Sequence, residues 1–179
     1  ITARRQWPTG MSAIGPALSG RIPVDEQAAE GRAVGRLDGL GWGGALRDLL
    51  TRVDPPDPTV PVALRGAVVQ VLEAWRPPVD GVVLVPSTTR PGLVEHLAAG
   101  VARHLGVPVV GAVVAAAHVP PGRHDVNSAQ RLSGVARRLE LDLSDAAAAG
   151  LRGRSVLLVD DRHDSGWTVT VAARLLRQA

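Results

Sequence analysis

Near the end of the chain, Ser155-Val-Leu-Leu-Val-Asp-Asp-Arg-His-Asp-Ser-Gly-Trp-Thr168 sets four apolar residues against two carboxylates and a short polar turn. A short apolar run bounded by polar turn residues is expected to form a buried parallel strand. From the turn onward a helical pattern runs to the last residue. In open α/β sheets, ligands bind just past the carboxyl ends of such strands. The turn has a chemistry of its own. Backbone N–H groups of a tight turn entering a helix converge on one spot and favour an anion. Gly166 lets the backbone come close, and Ser165 and Thr168 add hydroxyl donors. Asp160 and Asp161 repel phosphate, but they can accept hydrogen bonds from a vicinal diol or hold magnesium through oxygen. Phosphate on the turn and a diol on the carboxylates together describe a ribose 5-phosphate.

Val156 to Thr168 resembles the phosphoribosyl-pyrophosphate loop of type I phosphoribosyltransferases: four apolar residues, an acidic pair, two residues, Asp, Thr or Ser, Gly, any residue, then Thr. The resemblance implies that Asp160 and Asp161 hold the ribose hydroxyls. It implies that Asp164 lies near the reacting ring as the catalytic residue. The 5-phosphate would be cradled by Asp164, Ser165, Gly166, Trp167 and Thr168, and magnesium would accompany phosphoribosyl pyrophosphate in an active enzyme. The chain departs from the family at Arg162-His163, where apolar residues are usual. Two other readings of the same residues stay open. An apolar strand ending in Asp-Asp also opens response-regulator receiver domains, although there the pair lies near the N-terminus. The stretch can also be a strand and turn of an α/β domain that binds no ligand.

A chain of 179 residues suits one domain with room for an extra element. Phe and Tyr are absent, so Leu, Val and Ala must build the core, and Trp7, Trp42, Trp75 and Trp167 stand out against it. With no cysteine, disulfides and thiolate metal sites are excluded. The absence of any apolar run near the roughly 18 residues that span a bilayer, and of a signal-peptide pattern, leads us to expect a cytoplasmic location and no membrane partner. The basic residues are all arginine, and a net charge of +3 is weak support for a polyanion partner. The chain opens on Ile1 and closes on an unfinished β-α step, so we expect a piece of a longer protein.

In chain order, residues 1–44 are rich in Gly and Pro and read as an irregular segment leading from an upstream domain, with one short helix between Pro23 and Arg36. Trp7 and Trp42 are expected to anchor it by packing. Residues 45–179 read as the α/β domain. Helices are expected at Ala45–Arg52, Val62–Trp75, Gly92–Leu105 and Ser144–Gly150, the last capped by Ser144. Strands are expected near Val82–Val85, Val109–Val114 and Val156–Val159, giving a doubly wound parallel sheet of the Rossmann-like, three-layer kind. The loop after the first strand, Ser87-Thr88-Thr89-Arg90, offers hydroxyls and a guanidinium where the phosphoribosyltransferases bind pyrophosphate, and Arg90 suits a bidentate phosphate contact. It also reads as an ordinary β-α turn.

Ala115 to Gly134 reads as a long polar loop, placed where those enzymes carry a flexible hood. Its end, Asn127 to Leu139, resembles a Gln-x-x-Leu and arginine stretch of the competence-type branch. Arg131, Arg137 and Arg138 are candidates for pyrophosphate or nucleic-acid phosphate, or else a solvated helix face. His118, His124 and Asp125 do not have the spacing of a structural zinc site, and no metal is expected there. A second resemblance covers nearly the whole chain. Trp7-Pro-Thr-Gly-Met11, Leu18-Ser-Gly-Arg-Ile22 and Gly41-Trp42 ahead of the phosphoribosyltransferase-like half resemble the C-terminal region of RecQ-family DNA helicases of high-GC bacteria. That implies an ATP-driven parent acting on DNA in repair or recombination. The motor itself is not in this chain, which has no lysine and so no Gly-x-x-x-x-Gly-Lys-Ser/Thr motif.

Overall fold

The structure, a computed structural model, describes residues 1–9, 18–54, 56–116 and 128–179. Its elements follow the order α1 (Gly43–Thr51), α2 (Val62–Trp75), β1 (Gly81–Leu84), α3 (Pro91–Leu105), β2 (Val109–Ala115), α4 (Ser128–Ala136), β3 (Leu139–Leu143), α5 (Asp145–Leu151), β4 (Val156–Val159) and α6 (Trp167–Gln178). This is an α/β fold with a four-stranded, mostly parallel sheet in the order β3-β2-β1-β4, flanked by helices. β1 pairs in parallel with β2 on one side and β4 on the other. No helix among the described residues is long and apolar enough to cross a membrane.

Local chemistry explains the boundaries. Proline stands at the start of α3, where its missing N–H costs nothing, and Gly106 ends that helix in the left-handed conformation at φ 69°. α2 stops before Pro77-Pro78; Arg76 takes a left-handed turn and its N–H donates to the Leu72 carbonyl at 2.7 Å. Ser144 caps α5 as expected, its hydroxyl accepting from the Ala147 N–H at 3.2 Å.

The chain packs as two compact units. The first gathers residues 1–31, 113–142 and 162–179; the second holds residues 32–112 and 143–161. In the second unit, β1 is the buried strand. Val82 and Val83 are fully enclosed, and Val82 packs with Leu72, Ala98, Val101, Ala102 and Val159 from α2, α3 and β4. A neighbouring cluster of Leu49, Val60, Leu64 and Leu93 takes in the half-buried Trp42. In the first unit, Trp7 and Ile22 from the N-terminal segment share a core with Leu132 of α4 and with Trp167 and Val171 of α6. Trp7 and Trp167 stack with ring centroids 6.1 Å apart and planes 11° from parallel. Arg174 lies over Trp7 and Arg4 over Trp167 at 5.5 and 5.3 Å, so two cations close the stack at either end. The glycine- and proline-rich segment is therefore core-forming around Trp7 and Ile22, and the only helix in its Pro23–Arg36 stretch is a single 3-10 turn, Val24–Glu26.

Two expectations are corrected. The stretch from Ser128 to Gly134 is not loop: α4 begins at Ser128 and buries Leu132 completely. Arg131 and Leu132 belong to that helix, which packs on α6 through Val135 and Ala136 as well. The helix does not run on through Leu139, because Leu139-Glu-Leu-Asp-Leu143 is a fourth strand, β3. Its leucines are half-buried and its Glu140 and Asp142 exposed, a period of two that alternating apolar and acidic residues impose. Before β3 the chain is tied to the end of β2, the Ala116 N–H donating to the Arg138 carbonyl.

Replacing Trp7 by alanine is expected to destabilise the fold by about 3–5 kcal/mol, the scale for truncating a buried aromatic side chain. The half-buried Trp42 should cost clearly less when replaced in the same way. Urea unfolding of the two variants checks this ranking, which fails if Trp42→Ala proves the more damaging.

Candidate functional site

In the second unit, Gly81, Val82, Val83 and Leu84 lie opposite Val156, Leu157, Leu158 and Val159 without a slip. The pairing continues beyond the strands, where the Val85 N–H donates to the Val159 carbonyl at 2.9 Å. The next residues after the two strands are Pro86-Ser87-Thr88-Thr89-Arg90 and Asp160-Asp161. In-register pairing thus brings the two polar strand ends side by side. The connection from β1 leads through α3 to β2, on the opposite side of β1 from β4. The gap between β1 and β4 is therefore a topological switch point, the usual crevice for a ligand in an open α/β sheet.

The Ser87–Arg90 loop is knitted to itself. The Ser87 hydroxyl accepts from the Arg90 N–H at 3.3 Å and lies 3.4 Å from the Thr89 hydroxyl. Arg90 Nη1 donates to Thr89 Oγ1 at 3.2 Å. Arg90 Nε is buried and has no hydrogen-bond partner among the described residues, so this guanidinium retains donor capacity at the strand end. Thr88 and Thr89 are exposed; Ser87, Arg90, Asp160 and Asp161 are half-buried.

The helix that follows this loop meets a carboxylate that the sequence pattern does not single out. Asp57 accepts from the Gly92 N–H at 2.7 Å and from the Leu93 N–H at 2.9 Å, through its two oxygens. These are first-turn donors of α3, which the helix itself cannot satisfy. A Cβ on Gly92 would come within 2.8 Å of Asp57 Oδ2, so glycine is what admits the carboxylate. The linker carrying Asp57 is pinned again at Val60, whose N–H donates to His96 Nδ1 of α3 at 3.0 Å. Sequence spacing gives no warning of this, since Asp57 and Gly92 are 35 residues apart.

In the first unit, the turn into α6 is built around Gly166, which caps the helix at φ 81°. That left-handed conformation is costly for any residue with a Cβ. Helical bonding begins with the Thr170 N–H donating to the Gly166 carbonyl, so the N–H groups of the first turn point out along the helix axis. No acidic residue stands in that first turn. Two residues outside the motif hold the turn. The buried Thr170 hydroxyl donates to the Gly166 carbonyl at 2.8 Å and accepts from the Arg4 N–H at 2.9 Å. Arg4 Nε donates to the Ser165 carbonyl at 2.8 Å. The hydroxyl four residues after the glycine was a legible sign, since Ser and Thr commonly bond back to that carbonyl; Arg4 carried none.

Of the residues assigned to the turn, Ser165 and Thr168 are half-buried and Asp164 is exposed, as are Arg162 and His163. Trp167 has its ring in the core, only 2% exposed, which leaves its main chain as the part that faces the turn. Among the arginine candidates, Arg137 is exposed just beyond α4, and Arg138 is half-buried, its buried Nε without a hydrogen-bond partner among the described residues. Arg131 lies in α4, with its side chain outside the described residues; His118, His124 and Asp125 lie outside them altogether. Among the described residues no group of three or more His, Cys, Asp or Glu is arranged to hold a metal ion. A magnesium ion at Asp160 and Asp161 would take most of its ligands from phosphate oxygens and water. A hollow of about 310 Å³ between α2 and α3, floored by Val68, Leu72, Leu97 and Val101, includes none of these residues. Comparison with protein-family models, curated proteins and solved structures finds no match to this chain.

Replacing Gly166 by valine adds a side chain at φ 81° whose Cβ lies 3.3 Å from His163 Nε2. The turn must then reshape, and if the turn cradles a phosphate, ribose 5-phosphate should bind more weakly by at least about 1 kcal/mol, the scale of one lost hydrogen bond to a charged group. Calorimetric titration of the two proteins checks it; equal affinities would remove the turn from the site.

Proposed function

We propose that this chain is a phosphoribosyltransferase-like accessory module of a RecQ-type DNA helicase, binding a phosphorylated ribose and contributing to the grip on DNA rather than transferring ribose. The observation that carries the ribose-phosphate part is the in-register pairing of β1 with β4, which sets Ser87–Arg90 beside Asp160 and Asp161 at a switch point. Carboxylates suit hydroxyls there, and hydroxyls with a guanidinium suit an anion. The glycine-capped turn into α6, without an acid in its first turn, supports a phosphate on Ser165–Thr168. The helicase parentage rests on the resemblance of the N-terminal motifs. Binding without transfer is favoured by Arg162-His163, two exposed polar residues where an active phosphoribosyltransferase usually has apolar ones. Were the chain an active transferase, Asp164 would assist at the ring and Arg90 would take the leaving pyrophosphate.

Arg131, Arg137 and Arg138 are the candidates for nucleic acid, on and just beyond the helix that packs against α6. Arginines that neutralise phosphates act through counterion release, so affinity for single-stranded DNA should fall with salt. Replacing the three by alanine is expected to flatten the log-affinity against log-salt slope by up to about 0.7 for every phosphate that an arginine had neutralised. Asp160→Asn should leave DNA affinity nearly unchanged, because that carboxylate suits a diol. The opposite pattern identifies a working transferase: DNA binding that is weak or absent, with pyrophosphate release from phosphoribosyl pyrophosphate and a base that Asp160→Asn abolishes.

A further inference from the structure

The first turn of α3 lies just beyond the Ser87–Arg90 loop, at the same carboxyl end of β1 that faces Asp160 and Asp161. A helix start in that place attracts an anion through its unused N–H groups and its dipole. Here an anion is already present: the Asp57 carboxylate, with one oxygen on the Gly92 N–H and the other on the Leu93 N–H. The fit is made on both sides. Gly92 leaves the space that a Cβ would take from Oδ2, and the linker that brings Asp57 is fixed by the buried Pro58 and Val60 and by the Val60–His96 hydrogen bond. The carboxylate therefore does not hang on the helix by chance of a flexible side chain; its main chain is held along α3.

We infer that Asp57 is a specificity-determining residue that closes the strand end beside Arg90 to a pyrophosphate group, so that a ribose monophosphate is accepted and pyrophosphate and ribose diphosphates are rejected there. The inference rests on the ribose-phosphate reading above and narrows its ligand. A pyrophosphate entering beside Arg90 would have to displace Asp57 from two N–H donors or lie against its charge. Arg90 is the cation of that loop, whereas Asp57, Asp160 and Asp161 are carboxylates on the segments that meet its strand end or the helix after it.

The test is calorimetric titration of the whole 179-residue chain and its Asp57→Ala variant with ribose 5-phosphate and, separately, with inorganic pyrophosphate. The variant is expected to bind pyrophosphate at least about tenfold more tightly than the parent, the scale of one charge-assisted hydrogen bond regained, with ribose 5-phosphate affinity unchanged. Asp57→Asn keeps one acceptor oxygen for the helix and loses the charge; it should show a smaller gain of the same sign, and it serves if the alanine variant does not fold. Pyrophosphate affinity that stays level or falls in a folded variant would overturn the inference. Absence of ribose 5-phosphate binding in all the proteins would instead count against the ribose-phosphate reading, and a pyrophosphate gain seen without it would still support Asp57 as the blocking anion.

Discussion

The hydrogen bonding of β1 on both of its edges is the constraint on which the candidate site depends. A strand paired on each side cannot slide without breaking two ladders, and Val82 and Val83 leave no exposed surface to make a slip cheap. Shifting β4 by one residue against β1 would turn Val159 out of the core and Leu158 into its place, and it would carry Asp160 to the other face. The chemistry at the strand ends is thus set by packing a few residues earlier. Gly81 contributes in the same way: a Cβ there would meet Val110 Cγ1 at 3.0 Å.

Much of this architecture was legible where a local rule sufficed. The apolar runs at Gly81–Val85, Val109–Val114 and Val156–Val159 marked β1, β2 and β4 because a strand inside a parallel sheet carries few polar residues to alternate with, although only β1 is buried throughout its middle. α2 was read to its observed limits, since Leu64, Val68 and Leu72 recur on one face and a proline pair ends it. β3 was missed although Leu139-Glu-Leu-Asp-Leu143 alternates plainly; the arginines before it were weighed as phosphate contacts or a solvated helix face, and a half-buried edge strand carries a shorter signal than a core strand.

The site was legible only along single stretches of chain. Asp160, Asp161 and Gly166 announce themselves by spacing, and the structure places the carboxylates at a strand end and Gly166 at a left-handed cap. Trp167 shows the limit of a motif position that admits any residue: its side chain answers to Trp7, 160 residues earlier, rather than to a ligand. Asp57, Arg4 and Thr170 act through neighbours that only the fold supplies. A carboxylate that caps a helix from 35 residues away has no periodicity to betray it, and neither does an arginine that reaches a carbonyl 161 residues on.

The stack of Arg174, Trp7, Trp167 and Arg4 joins the first residues of the chain to the last, and this has a kinetic meaning. Trp7 and Ile22 share their core with Leu132, Trp167 and Val171, so they leave the ribosome well before the residues that complete their burial and stay partly uncovered until residues 162–179 have been made. The second unit, with long continuous sequence and mostly nearby partners, can settle meanwhile. Closing loops of that length is slow relative to local pairing, so the turn around Gly166 belongs to the part of the molecule that is completed last.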